Sequence, residues 1–326
     1  MKGSAAFRWT IMAAVIIAAA ISFRAAAQSE FMRAGRMPYD VFDRLPKTDL
    51  DVPGGTIHVA FAPGTIALPR EKVLDWVRTS AKAISTYYGR FPVSSLKLLL
   101  VPVDGPRVRG GTTWGDRGAA IRVLLGRDAN EDDLRRDWVM VHEMVHLALP
   151  ELDDRHAWLS EGLAVYVEPI ARVQSGELSA KEIWQAMMRD MPKGLPQAGD
   201  EGLDNTATWG RKYWGGAMFC LLADVEIRKR TGNLKGLQDA MRGVITAGGN
   251  HEQDWSIERV LSAADKAVGV DVLTRLHNEM GSKPVTPDLA ALWRDLGVKA
   301  QGESLEFDDT APVAAIRKSI TEARFK

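Results

Sequence analysis

His142, Glu143 and His146 stand in the run Val141-His142-Glu143-Met144-Val145-His146-Leu147. On a helix, two histidines four apart project their rings the same way, close enough to share one metal ion. The glutamate after the first histidine then lies beside that ion, within reach of a proton on a metal-activated water. The chemistry served by an H-E-x-x-H pattern is hydrolysis of an amide bond, with zinc as Lewis acid and Glu143 as general base. The chain holds six histidines in 326 residues, so the pattern is not a by-product of composition. The bland alternative is a pair of histidines packed in a helical core.

The elements that must position these groups are legible nearby. Trp138, Val141, Met144, Val145 and Ala148 follow an i, i+3, i+4, i+7 rhythm, which predicts an amphipathic helix with this set on its buried side. Asp132 and Asp133 sit near its expected start, where negative charge suits the helix dipole, and Pro150 stops it. A catalytic zinc takes three protein ligands and keeps one position open for water. After a short polar loop, Asp153 or Asp154 is placed to cap a second helix that runs back beside the first. That return sets Glu161 opposite the histidines as the third ligand, with His156 as its rival.

Trp158-Leu159-Ser160-Glu161-Gly162-Leu163-Ala164-Val165-Tyr166 resembles the second signature of the gluzincin metallopeptidases, W-L-x-E-G-x-A-x-Y. The resemblance implies that Glu161 is the third zinc ligand. The spacing from His146 is shorter than in the large aminopeptidases of that group, which implies a trimmed loop between the helices. Leu149 occupies the place where the metzincin continuation has glycine, so His156 does not fit that alternative. The segment from Trp209 to Gly232 is read as one long helix, and Tyr213-Trp214-Gly215-Gly216 within it resembles the Y-x-x-G element of glycyl-aminopeptidase-type gluzincins. On that match Tyr213 donates to the oxyanion formed at the scissile carbonyl. An aromatic simply packed at a helix start is the alternative for Tyr213. Tyr166 is expected in the core.

The resemblance covers roughly residues 130–300, with two departures. No stretch looks like the PDZ domain those enzymes carry. Where they present Gly-Gly followed by an acidic residue for a free amine, this chain has Gly110-Gly111-Thr112-Thr113-Trp114. The acidic residue is missing, so exo- and endo-action both stay open, although the glycines let backbone approach an extended peptide.

Lys plus Arg and Asp plus Glu are 42 each, and no basic stripe suited to nucleic acid appears. Residues 1–27 have a basic start, an apolar run and an Ala25-Ala26-Ala27 end, the pattern of a cleaved signal peptide. The expectation is a periplasmic or secreted protein with a peptide or protein substrate, an uncleaved anchor being the alternative. No other stretch reaches the length of a membrane span. Without Lys2, Arg8 and Arg24 the remaining charges are 39 basic against 42 acidic, a net charge of −3. The single cysteine, Cys220, is expected as core filler.

Strands are expected at 56–62, 96–103 and 119–125, and a helix at 70–89, followed by mostly helical sequence from about 130. The fold class is therefore α+β: a small mixed α/β lobe at 28–128, then a helical zinc-peptidase lobe at 129–326 with a thermolysin-like catalytic core. Two other functions compete with the Zn2+-dependent peptidase: a catalytically silent relative that binds peptides or partners, and a structural zinc protein. Intact His142, Glu143, His146 and Glu161 count against the first, and the open fourth position against the second. Trp114, Trp158, Trp209 and Trp214 are expected to fill core, and His58, His251 and His277 lack partners at ligand spacing.

Overall fold

Leu98 and Leu100 point to one side of a strand and Leu99 and Val101 to the other, all fully buried, so both faces of the sheet that contains them are covered. The computed structural model describes Phe31, residues 36–302 and residues 304–323. The signal-peptide reading of residues 1–27 falls outside these.

A short helix α1 (Tyr39–Arg44) precedes strands β1 (Lys47–Val52) and β2 (Gly55–Phe61), then helix α2 (Arg70–Tyr88) and strands β3 (Ser95–Val103), β4 (Val108–Trp114) and β5 (Ala120–Gly126). The sheet order is β1-β2-β3-β5-β4. The central β2–β3 and β3–β5 pairs are parallel and the outer pairs antiparallel, so α2 is the crossover that parallel pairing requires. Val73, Trp76, Val77, Ala81 and Ile84 of α2 bury against Ile57, Val59, Leu98 and Leu100. The opposite face packs on Phe31, Met37, Tyr39 and Phe42. This leaves β4 as an edge strand, its outer rim facing the helical part of the chain.

The helices follow as α3 (Glu131–Arg135), α4 (Val139–His146), α5 (Ala157–Ser175), α6 (Ala180–Asp190), α7 (Gly216–Arg230), α8 (Leu237–Thr246), α9 (Ile257–Val268), α10 (Val272–Met280), α11 (Leu289–Leu296) and α12 (Ala314–Thr321). A hairpin of β6 (Val298–Gln301) and β7 (Ser304–Phe307) separates the last two. One hydrophobic cluster runs from α2 and the sheet through α4, α5 and α7 to α8–α11. The architecture is the expected α+β. Among the described residues no helix is long and apolar enough to cross a membrane.

Two local readings change. The helix of the two histidines does not start at Asp132 and Asp133; those belong to α3, which Asn130 caps. Asp137 instead accepts from the backbone N–H groups of Val139 and Met140, each at 3.0 Å, and so begins α4. Residues 209–232 do not form one α-helix either. Gly210–Gly215 is a π-helical turn that leads into α7, the kind of local widening often found at functional sites.

Candidate metal centre and hydrolytic site

On α4, Val141, Met144 and Val145 are buried, and so is Ala148 just past its end, as the periodicity predicts. This turns His142 and His146 together towards α5, which returns antiparallel after Asp153 accepts from the N–H of Arg155 at 3.1 Å. The imidazole rings are 5.0 Å apart. Their Nε2 atoms converge on Glu161 Oε2, 3.2 Å from His142 and 3.7 Å from His146. One ligand atom from each residue therefore lies within 4.8 Å of the others.

Electrostatics favour a cation among them. Burial, with the neighbouring His142, lowers the His146 pKa to about 3, so this ring is neutral. Burial would raise that of Glu161, but the His142 hydrogen bond, the facing imidazoles and the Lys212 charge hold it at about 2. Neutral imidazole and ionised carboxylate are the forms that bind metal. Nδ1 of His146 lies 2.9 Å from Ser160 Oγ, so a metal on Nε2 places the ring proton where the serine oxygen accepts it. The donor set suits zinc, with an open side towards the cavity.

Glu143 lies on the same helix but faces β4. Thr113 Oγ1 donates to its Oε2 at 2.7 Å. Burial raises the Glu143 pKa, while the Thr113 hydrogen bond and His142 pull it down. A Cβ at Gly111 would sit 2.4 Å from the Glu143 side chain, so β4 approaches this closely only because residue 111 is glycine. Glu143 and the ligand set thus meet at the sheet edge.

Tyr213 reaches the site from the π-helical turn. Its phenol faces Glu161, and burial together with the Glu161 charge pushes its pKa up to about 12, so it stays protonated and can donate a hydrogen bond. Arg211 anchors the turn through an ion pair with Asp200 (2.7 Å) and a hydrogen bond to the Gly194 carbonyl (2.7 Å). At the junction of α5 and α7 a Cβ on Gly162 would come within 2.2 Å of Gly216 backbone. The paired glycines let the two helices touch and bring Tyr213 and Glu161 together.

The groups surround a cavity of about 510 Å³, completed by Arg109, Gly110, Trp138, Val139 and His251. A larger one, about 820 Å³, lies between the β1–β2 turn, α2 and α8, lined by Arg78, Lys82, Arg90, Arg242 and Asp51; it holds no histidine and no candidate nucleophile–base pair.

The structure brings His142, His146, Glu161, Glu143 and Tyr213 to one place and takes His156 elsewhere. His156 Nε2 accepts from Arg155 Nε at 2.9 Å, and its Nδ1 donates to Asp204 Oδ1 at 2.8 Å. Trp158 Nε1 donates to the same oxygen and His277 Nε2 to the other, both at 2.8 Å. His156, Asp204 and His277 are close enough together for a metal, but His156 has no lone pair left to offer one. Tyr166 is core, its hydroxyl bonded to Asp224 at 2.9 Å, and Cys220 is buried and free.

Sequence reasoning missed Thr113, Asp204 and His251. Their contacts cross 30 residues for Thr113 and 73 for Asp204–His277, and no periodicity announces them. It also misplaced two tryptophans. Trp158 is buried, and Trp114 and Trp214 pack half-buried on the cores. Trp209 and Trp138, both read as buried, are exposed.

The fold is shared with a solved protein of the aminopeptidase N family, in keeping with the gluzincin resemblance of Trp158–Tyr166. An aminopeptidase N family protein from Idiomarina loihiensis matches with a TM-score of 0.58 and 15% identity, over 79% of this chain and 50% of that one. An M1 zinc metallopeptidase from Deinococcus radiodurans matches with a TM-score of 0.49 and 18% identity, over 75% and 53%. The chain spans about half the length of these structures. No family model and no curated protein matches the sequence.

Proposed function

We propose that the chain is a zinc-dependent metallopeptidase that hydrolyses peptide bonds in the cleft between β4 and helices α4 and α5. The observation that carries this reading is the convergence of His142 Nε2, His146 Nε2 and Glu161 Oε2 beside a buried glutamate that is not part of the ligand set. Zinc held by His142, His146 and Glu161 would act as a Lewis acid on water and on the substrate carbonyl.

The remaining steps belong to side chains of this protein. Thr113 holds Oε2 of Glu143, so Oε1 is left to take the proton of the attacking water. Burial raises the carboxylate's basicity for that task. Glu143 then returns the proton to the leaving amine. The Tyr213 phenol turns from Glu161 to donate to the carbonyl oxygen as negative charge develops there. The outer rim of edge strand β4, open at Gly110, offers backbone groups for an extended peptide to pair with.

The carboxylates that line the cavity are Glu143 and Glu161, both engaged, and Arg109 adds a cation. This charge pattern favours a bond inside a chain over capture of a free amino terminus. Export is part of this proposal on the pattern of residues 1–27, with an uncleaved anchor as the alternative. The test is digestion of a defined peptide mixture, with and without a chelator, read by mass spectrometry. Chelator-sensitive cleavage at internal bonds supports the reading. Peptide binding without cleavage by the zinc-loaded protein supports a silent binding relative instead.

A further inference from the structure

Among the described residues the exposed large hydrophobic side chains are Trp138, Trp209 and Leu234. Two of these stand at the candidate active site. Trp138 is 55% exposed. It lines the cavity, and its ring meets that of His142 edge-on at 5.3 Å. Trp209 is 61% exposed, immediately before the π-helical turn, with its ring 5.8 Å from the ring of Tyr213. Neither position is explained by helix formation. Trp138 falls on the apolar rhythm of α4, yet it stands just before that helix, next to the capping Asp137, with its side chain exposed. Trp209 makes no side-chain cap. Large aromatic surface left in water beside reactive groups is a feature of recognition sites.

The rest of the cavity lining sharpens the point. Val139 is the other apolar side chain there; the remaining lining residues are polar, charged or glycine, apart from the half-polar ring of Tyr213. Apolar contact with a bound peptide inside the cavity must therefore come chiefly from the Trp138 indole, beside a candidate metal ligand. The Trp209 indole lies outside the lining and adds exposed apolar surface against the ring of the candidate oxyanion donor, Tyr213. We infer that Trp138 and Trp209 grip an aromatic or large aliphatic side chain next to the scissile bond, so the substrates are peptide segments carrying such a residue. This inference rests on the peptidase reading above. An indole face stacks on aromatic rings and packs on aliphatic chains alike, whereas it gains little from glycine or a charged residue.

The test uses zinc-loaded full chain and matched quenched-fluorescence peptides that differ by Phe, Leu, Ala, Gly or Glu at one position at a time. The wild type should cut the Phe and Leu peptides at least tenfold more efficiently than the Ala peptide at one position beside the cut. In Trp138→Ala and Trp209→Ala the Phe-to-Ala ratio of kcat/KM should fall about tenfold, with Trp138→Phe and Trp209→Phe in between. A wild type that cuts all five alike, or variants that slow every peptide by the same factor, would overturn the inference. If the wild type cuts nothing, the peptidase reading fails instead. Calorimetric binding of the same peptides then decides the grip: tighter Phe binding, lost in both alanine variants, upholds it, and equal binding of all peptides overturns it.

Discussion

Glu143 works from a position held on two sides, by Thr113 Oγ1 on its carboxylate and by the bare backbone of Gly111 against its side chain. Replacing Thr113 with Val should lower kcat about tenfold with KM little changed, because a support lost from the base slows chemistry more than binding. Thr113→Ser should restore most of the rate, and steady-state kinetics on both variants check this. Ser160 plays the matching part for His146. Ser160→Ala should weaken zinc binding about tenfold or more, measured by competition with a chromogenic chelator. The sequence disclosed the candidate ligands because helix periodicity relates residues three and four apart, and bringing His142 and His146 together needs nothing more. Thr113 was illegible for the opposite reason: its partner is 30 residues away, across the step from sheet to helix.

At the scale of elements the site depends on close contact between α5 and the turn before α7. Gly162 and Gly216 meet there with no room for a methyl group. Gly162→Ala should destabilise the protein by about 1–3 kcal/mol, and should loosen zinc as well because Glu161 is the adjacent residue. Urea unfolding and a zinc titration read the two effects separately. The core strands and α2 were legible in alternating or helical apolar patterns. Strand β1 was not, since Lys47-Thr-Asp-Leu-Asp-Val52 buries one residue, Leu50. Nor was β4, where Gly110 and Gly111 interrupt any apolar alternation and the strand shows only in its pairing with β5. The π-helical turn has no sequence period of its own, and its anchor, Arg211 on Asp200, joins separate segments.

Across the whole molecule, Asp204 ties the start of α5 to α10 by accepting from His156, Trp158 and His277. Burial pushes its carboxyl pKa up, but these three hydrogen bonds outweigh burial and hold it well below the usual carboxylate range. A carboxyl depressed in the folded state contributes stability above its unfolded pKa of about 3.9 and loses it as the pH falls. Asp204→Asn should therefore cost about 2 kcal/mol or more at pH 7. Its deficit relative to wild type should shrink below about pH 4, as urea unfolding at several pH values would reveal. The cross-links among Asp204, His156 and His277 were invisible in sequence, where His277 had no partner at ligand spacing and His156 competed as a ligand. The fold that these ties complete is shared with a solved structure of which it spans about half the length, so the proposed hydrolytic role rests on the residues of this chain. Its most direct test is the Glu143→Gln variant, assayed for peptide cleavage and for bound zinc on the same preparation. Full zinc content with turnover reduced at least a thousandfold is the predicted result. Near-normal cleavage by that variant would contradict the account.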